Sequence, residues 1–310
     1  MRVLLVGWFS FTHGEATAGD VAAAEAVARR LARAGIACDT AWSPFFRSSG
    51  PSLEEADPAR YSHLVFACGP LHGPQVRWLH ERFAACRRIA VGVSVIDPAD
   101  PAVTGFDAVL PRDRADGPPH RDLATAAPLA PVPVVGVAMV DRQPEYGTRG
   151  QHERVGRIVT SWVAGRDCAP LSVSTRLDTR DWRQCGTPSQ LAALLGRCDL
   201  VVTTRLHGLV FALRSGVPAI AVDPVDGGAK VTAQARVLDW PAVVPAGTEE
   251  DMLALLDRLW DWCLSPEGRR RAARHADPQA HAEEGGAEET LTRMLEQLGA
   301  RPSPNVPGRV

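Results

Sequence analysis

The sequence predicts an α/β protein made of two doubly wound, Rossmann-like domains. Three observations carry this. Short apolar runs of strand length alternate with helical segments, the alternation breaks once at a proline-rich stretch and then restarts, and 310 residues exceed the usual reach of a single core.

In the first half, Arg2 to Gly7 reads as a buried strand. A polar loop from Ser10 to Thr17 follows, then a helix from Asp20 to Ala34 that Gly35 stops. Ile36 to Trp42, His63 to Cys68, Ile89 to Val95 and Ala108 to Leu110 are the next strands, with a helix over Pro74 to Ala85. From Asp113 to Pro133 the chain turns polar and proline-rich, which is the composition of a linker. The expected domains are therefore 1–130 and 131–300, with 301–310 a mobile tail.

The second half repeats the pattern. Val134 to Val140 and Leu171 to Thr175 are strands, and Gln151 to Ala164 and Ser189 to Leu195 are helices. Glu249 to Cys263 places Met252, Leu255, Leu256 and Leu259 on one helical face. Arg269 to Gly286 reads as a solvated helix with a frayed end, and Thr290 to Leu298 as a last helix.

Composition excludes several classes. Hydrophobic content of 45% with 23% charged residues is that of an ordinary globular protein. A net charge of −2 and a pI near 6.5 argue against a nucleic-acid surface. No apolar run is long enough for a transmembrane helix and the N-terminal apolar stretch is too short for a signal peptide, so a cytoplasmic location is expected. Seven cysteines without a Cys-x-x-Cys pair predict reduced thiols and no structural zinc. Neither Gly-x-Gly-x-x-Gly nor the Walker pattern is present, which disfavours nicotinamide cofactors and nucleoside triphosphates. His-Glu-x-x-His and Asp-x-Asp are also missing, so no metal site is expected.

The most informative stretch is 198–223. Asp199 to Thr203 is a strand, Thr204 a candidate N-cap, and Leu206 to Ser215 a short helix closed by Gly216. Leu206, Leu209, Val210 and Leu213 form its apolar face, and His207 falls at the margin. Arg205 is a permanently charged planar donor for carboxylate or phosphate. Gly208 would leave room for a ligand, and the helix start adds unpaired amides.

Thr204-Arg-Leu-His-Gly-Leu-Val-Phe-Ala-Leu-Arg-Ser-Gly-Val-Pro218, with Lys230 downstream and Gly19-Asp20 near the N-terminus, resembles the polysaccharide pyruvyl transferase family, most closely over residues 185 to 240. The resemblance implies a GT-B-like architecture in which the two domains face a cleft, acceptor on the first and donor on the second. It further implies transfer of the pyruvyl group of phosphoenolpyruvate to hydroxyls of a saccharide-like acceptor, with phosphate released and no cofactor beyond that donor. The implied partners are these two small molecules. In this reading His207 is a general acid, Asp20 a base, and Arg205, Gly208, Arg142, Lys230 and Thr204 bind the donor.

Departures from the family pattern keep other readings open. The Asn that often precedes Gly-Asp is replaced in Thr17-Ala-Gly19-Asp20, and Asp20 reads equally as a helix cap. His13, Glu15 and Gly19 are further cleft candidates on the same loop. A longer glycine-rich segment separates Asp223 from Lys230, so Lys230 also reads as an exposed lysine at a helix start. Arg176 is a weaker cation, and Asp178 and Asp181 read as turn residues. The alternatives are a GT-B glycosyltransferase using a nucleotide sugar, or a non-catalytic binding subunit.

Overall fold

The computed structural model describes residues 1–47, 49–114, 117–276 and 286–299, and the chain divides into two compact units between Ala130 and Pro131. The apolar runs become parallel strands, and the inner ones such as Arg2–Val6, His63–Ala67, Leu200–Thr203 and Ala219–Asp223 are buried on both faces. In unit 1 the strands are β1 (Arg2–Val6), β2 (Ala37–Thr40), β3 (His63–Ala67), β4 (Arg87–Val95) and β5 (Ala108–Arg114), in the order β2-β1-β3-β4-β5. β1 shows why both faces must be covered. Leu4 and Val6 enter one apolar cluster with Phe66 and Leu79, while Val3 and Leu5 enter another with Phe9 and Ala24. Covering helices are α1 (Ala18–Arg33), α2 (Gly73–Arg82) and the short α3 (Pro101–Thr104).

Unit 2 has β6 (Val134–Ala138), β7 (Ala169–Ser172), β8 (Leu200–Thr203), β9 (Ala219–Asp223) and β10 (Val243–Pro245), again all parallel, in the order β10-β9-β8-β6-β7. Its helices are α4 (His152–Ala164), α5 (Pro188–Leu195), α6 (Leu206–Arg214), α7 (Lys230–Val237), α8 (Glu249–Leu264), α9 (Pro266–Arg274) and a terminal helix, Gly286–Gln297. Read from its second strand, the order is that of unit 1. In each unit the winding reverses beside the first strand, between β1 and β3 and between β6 and β8. Open parallel sheets hold ligands at the carboxyl ends of such strand pairs.

The proline-rich stretch, the start of α1 and β7 differ from the sequence expectation, β7 lying at Ala169–Ser172 and not at Leu171 to Thr175. Much of the proline-rich stretch is part of unit 1. β5 continues to Arg114, and a 3-10 turn at Leu123–Ala126 packs on α1, with Leu123 lying over Gly92. Arg112 holds this segment by donating to Asp122 (2.6 Å), Asp113 (2.9 Å) and Ser94 (2.7 Å). Composition alone cannot show one arginine collecting three acceptors. At α1 the cap is Thr17, whose Oγ1 accepts from the Asp20 amide, so Asp20 lies inside the first turn.

All seven cysteines are free thiols. Trp162 packs edge-on against Trp260, and Trp240 lies tilted against Trp262, as packing residues. Among the described residues no helix is long and apolar enough to cross a membrane. The expected tail, 301–310, and the end of the solvated helix, 277–285, lie outside the described residues.

Candidate functional site

The carboxyl ends of β6 and β8 are tied together by two buried threonines. Thr203 Oγ1 donates to Ala138 O (2.9 Å) and accepts from the Arg205 amide (2.9 Å). Thr204 Oγ1 accepts from the Val140 amide (2.7 Å). Thr204 is therefore not the N-cap of α6. Its hydroxyl is spent on the neighbouring strand exit, its side chain is buried, and Arg205 takes the cap position without a side-chain cap bond.

Arg205 is oriented by its own backbone neighbours. Nε donates to Met139 O at 2.6 Å, which leaves the two terminal nitrogens for other partners. Nη2 lies 4.0 Å from Asp141 Oδ2, and Arg176 Nη2 lies 3.3 Å from the same oxygen. The Arg205 side chain is 17% exposed and that of Asp141 77%. Burial, and then the nearby Arg176, lower the Arg205 pKa from the usual guanidinium value, while Asp141 acts in the opposite direction. A cavity of about 600 Å³ opens here, lined by Val137, Met139, Val173, Ser174, Gln184 and these three charged residues, among others.

His207 is the second residue of α6, exposed, and its side chain makes no hydrogen bond among the described residues. The first intrahelical bond comes from Leu209, to Arg205 O (3.2 Å), so the amides of Leu206, His207 and Gly208 precede it. Such a turn favours anions. Gly208 is needed for a reason other than ligand access. A methyl built on it would sit 2.9 Å from Thr203 Cβ and closer still to its hydroxyl, so glycine lets α6 approach β8.

A second cavity, of about 880 Å³, holds Arg142 with Arg157, His152 and Glu153. It shares Met139, Asp141 and Thr160 with the first. Arg142 is exposed and has no ion-pair partner among the described residues. His152 is buried, accordingly held below the usual imidazole pKa, and its Nε2 lies 3.3 Å from Gln143 Oε1.

Lys230 is the first residue of α7, exposed, with Nζ 5.8 Å from the Tyr146 ring. What fixes its segment is Asp223, fully buried at the end of β9. Its carboxylate accepts from the amides of Val225 (3.1 Å), Ala229 (2.7 Å) and Thr232 (2.9 Å) and from the Thr232 hydroxyl (2.8 Å). Residues 224–229 are thus a built turn, with Gly227 and Gly228 at φ of 78° and 79°. Sequence reading missed this role of Asp223; its one local signal is a carboxylate at a strand end followed by two turn glycines.

The remaining candidates lie in unit 1, after β1. His13, Glu15 and Gly19 are exposed. Asp20 accepts from the Thr17 hydroxyl (2.8 Å) and lies beside Cys68, whose thiol is pushed up to about 11 by burial and then by this carboxylate. Asp178 and Asp181 make turns, each accepting from the amide two residues ahead. The structure brings Arg205, Arg176 and Asp141 together; Asp20 and His207 belong to different units. Among the described residues no cluster of His, Cys, Asp and Glu has metal-binding geometry.

Residues 173–226 match the family model of the polysaccharide pyruvyl transferases, and this segment carries β8, the Arg205 turn, α6 and Asp223. No curated protein matches the chain. Among solved structures, it is similar to a spinosyn rhamnosyltransferase complexed with thymidine diphosphate (12% identity, 96% of this chain and 100% of that one, TM-score 0.33). It is also similar to the calicheamicin glycosyltransferase (13% identity, 98% and 99%, TM-score 0.33) and to spinosyn forosaminyltransferase (14%, 95% and 98%, 0.34). At these scores nothing about activity passes from those proteins to this chain.

Proposed function

We propose that this chain is a pyruvyl transferase that takes its pyruvyl group from phosphoenolpyruvate and forms a ketal on a saccharide-like acceptor. The observation that supports it best is the Arg205 turn, which lies within the matched segment at the winding reversal of unit 2. There the guanidinium is anchored through Nε only, and an unpaired imidazole follows two residues later on a helix start. A donor with a carboxylate and a phosphate needs several cations. Arg205 supplies one, and Arg142 and Lys230 are exposed cations of the same unit.

In this reading His207 delivers a proton to the methylene carbon of the donor, leaving a cationic neighbouring carbon stabilised by its bridging phosphate-ester oxygen. One acceptor hydroxyl adds to that carbon and loses its proton to a base. Phosphate then leaves with the electrons of its bond to that carbon, and a second hydroxyl adds to the resulting cation, losing its proton to the departed phosphate, to close the ketal. Positive potential from Arg205 and the α6 amides offsets the charge of the departing phosphate.

The test is the unfolding midpoint with phosphoenolpyruvate, uridine diphosphate and inorganic phosphate in parallel. Ligand at 100 times its dissociation constant stabilises by about 2.7 kcal/mol, a shift of several degrees. A shift with phosphoenolpyruvate that Arg205→Ala removes is the expected result. A shift with uridine diphosphate alone, or with none of the three, overturns the reading.

A further inference from the structure

Asp141 is placed oddly for a structural ion pair. Both arginines reach the same oxygen, Oδ2, at 3.3 and 4.0 Å, and neither contact has hydrogen-bond geometry. A carboxylate that belonged to Arg205 would take both terminal nitrogens in a fork. Here the single charge is shared, the carboxylate is 77% exposed, and it stands where the two cavities share their lining. Two guanidiniums held this close repel unless an anion lies between them.

We propose that Arg176 and Arg205 form a two-point subsite for a small dianionic oxyanion, and that Asp141 is its resident counter-ion, which the ligand displaces. Only the placing of an anion at this cavity is taken over from the proposed function. Three features of the ligand follow from the geometry. It carries two charges, because one carboxylate leaves two cations half-neutralised. It presents three or more oxygens, because Oδ2 alone cannot satisfy both terminal edges. It is compact, because Arg205 is fixed by Met139 O and only Arg176, 70% exposed, is free to close on it. Ser174 and Gln184 line the same cavity and offer a hydroxyl and an amide to the ligand's remaining oxygens.

The experiment is calorimetric titration of the full chain with inorganic phosphate, and with acetate as the monoanion, at low ionic strength. Removing a competing charge about 4 Å from the subsite should tighten phosphate binding in Asp141→Asn by about tenfold. Asp141→Glu should bind like the wild type, and Arg176→Ala should bind about tenfold more weakly. Acetate should gain far less from Asp141→Asn than phosphate does. Both substituted side chains are largely exposed, so circular dichroism should show an unchanged fold. Unchanged or weaker phosphate binding in Asp141→Asn, or unaffected binding in Arg176→Ala, overturns the subsite. Tighter phosphate binding in Asp141→Asn without phosphoenolpyruvate turnover by any variant upholds the subsite and removes the pyruvyl reading.

Discussion

Asp223→Asn separates a built turn from an accidental one. The carboxylate is fully buried and accepts four hydrogen bonds, one on Oδ1 from Val225 and three on Oδ2 from Ala229 and Thr232. Asparagine has one oxygen and one NH2. Put its oxygen at the Oδ2 position and three bonds survive without charge, while the NH2 faces the Val225 amide, donor against donor. Turn it over and three donors face the NH2. A bond to a charged group is worth about 1.5–3 kcal/mol net against about 1 for a neutral one, and an orphaned buried amide costs about 1–3. The better orientation therefore loses about 0.5–2 kcal/mol on each of three bonds and orphans one donor. Local opening of residues 224–237 caps the sum, and a loss of about 3–4 kcal/mol is expected. For a unit of this size that is a fall of roughly 6–15 °C in its melting midpoint. Hydrogen exchange should locate it, with the Ala229 and Thr232 amides losing protection while β1 and β3 keep theirs. A loss under about 1 kcal/mol, or exchange that rises equally in both units, would refute the account of this turn.

Two further predictions follow from packing and protonation. Gly208→Ala gains about 1 kcal/mol of helix propensity but drives a methyl into Thr203, at about 1–3 kcal/mol or more, so a net loss of about 1–2 is expected in urea denaturation. Thr203→Ala in the same chain should couple to it by at least about 1 kcal/mol in a double-mutant cycle, and additivity would show that the contact is absent. His80 predicts acid sensitivity. Its Nε2 lies 3.1 Å from Ala102 O, its Nδ1 is buried without a partner, its ring packs on Phe106, and Arg88 and Asp107 are the charges beside it. Burial, with Arg88 adding to it, lowers its pKa below the ordinary 6.5, against the Ala102 bond and Asp107. The unfolded chain therefore takes up the proton first. The stabilisation is complete above 6.5 and is lost as pH falls from there through the folded-state pKa. The buried His152 acts in the same direction. Midpoints should drop between pH 7 and pH 5.5, less so in His80→Gln, and an equally steep drop in His80→Gln/His152→Gln would rule these two residues out as the cause.

Sequence pattern was sufficient wherever the deciding interaction is local. Val-Leu-Leu-Val in β1 and Leu-Val-Val-Thr in β8 announce strands buried on both faces, and the period of Leu206, Leu209, Val210 and Leu213 announces α6. β7 is Ala-Pro-Leu-Ser, an edge strand with no β-branched residue, so the pattern there points two to three residues downstream of the strand. Side-chain roles were legible only in part, because long-range bonds decide them. Thr204 reads as a cap until Val140, 64 residues away, claims its hydroxyl. Arg205 reads as a free cation until Met139, 66 residues away, takes its Nε and sets its direction. Gly208 reads as ligand clearance until Thr203 fills the space. Hydrogen bonds within the fold take several groups off the list available to a ligand. Removed are the hydroxyl of Thr203, an acceptor site of the Thr204 hydroxyl, the Asp223 carboxylate and, in unit 1, the whole of Arg112. Left in unit 2, near the winding reversal, are the terminal nitrogens of Arg205, the imidazole of His207, Arg142, and Arg176 with its one shared carboxylate. Near this strand pair the Thr203 hydroxyl and the Asp223 carboxylate serve the backbone, while Arg205 keeps its terminal nitrogens and Arg142 and Arg176 remain exposed, the arrangement on which the proposed anion site rests.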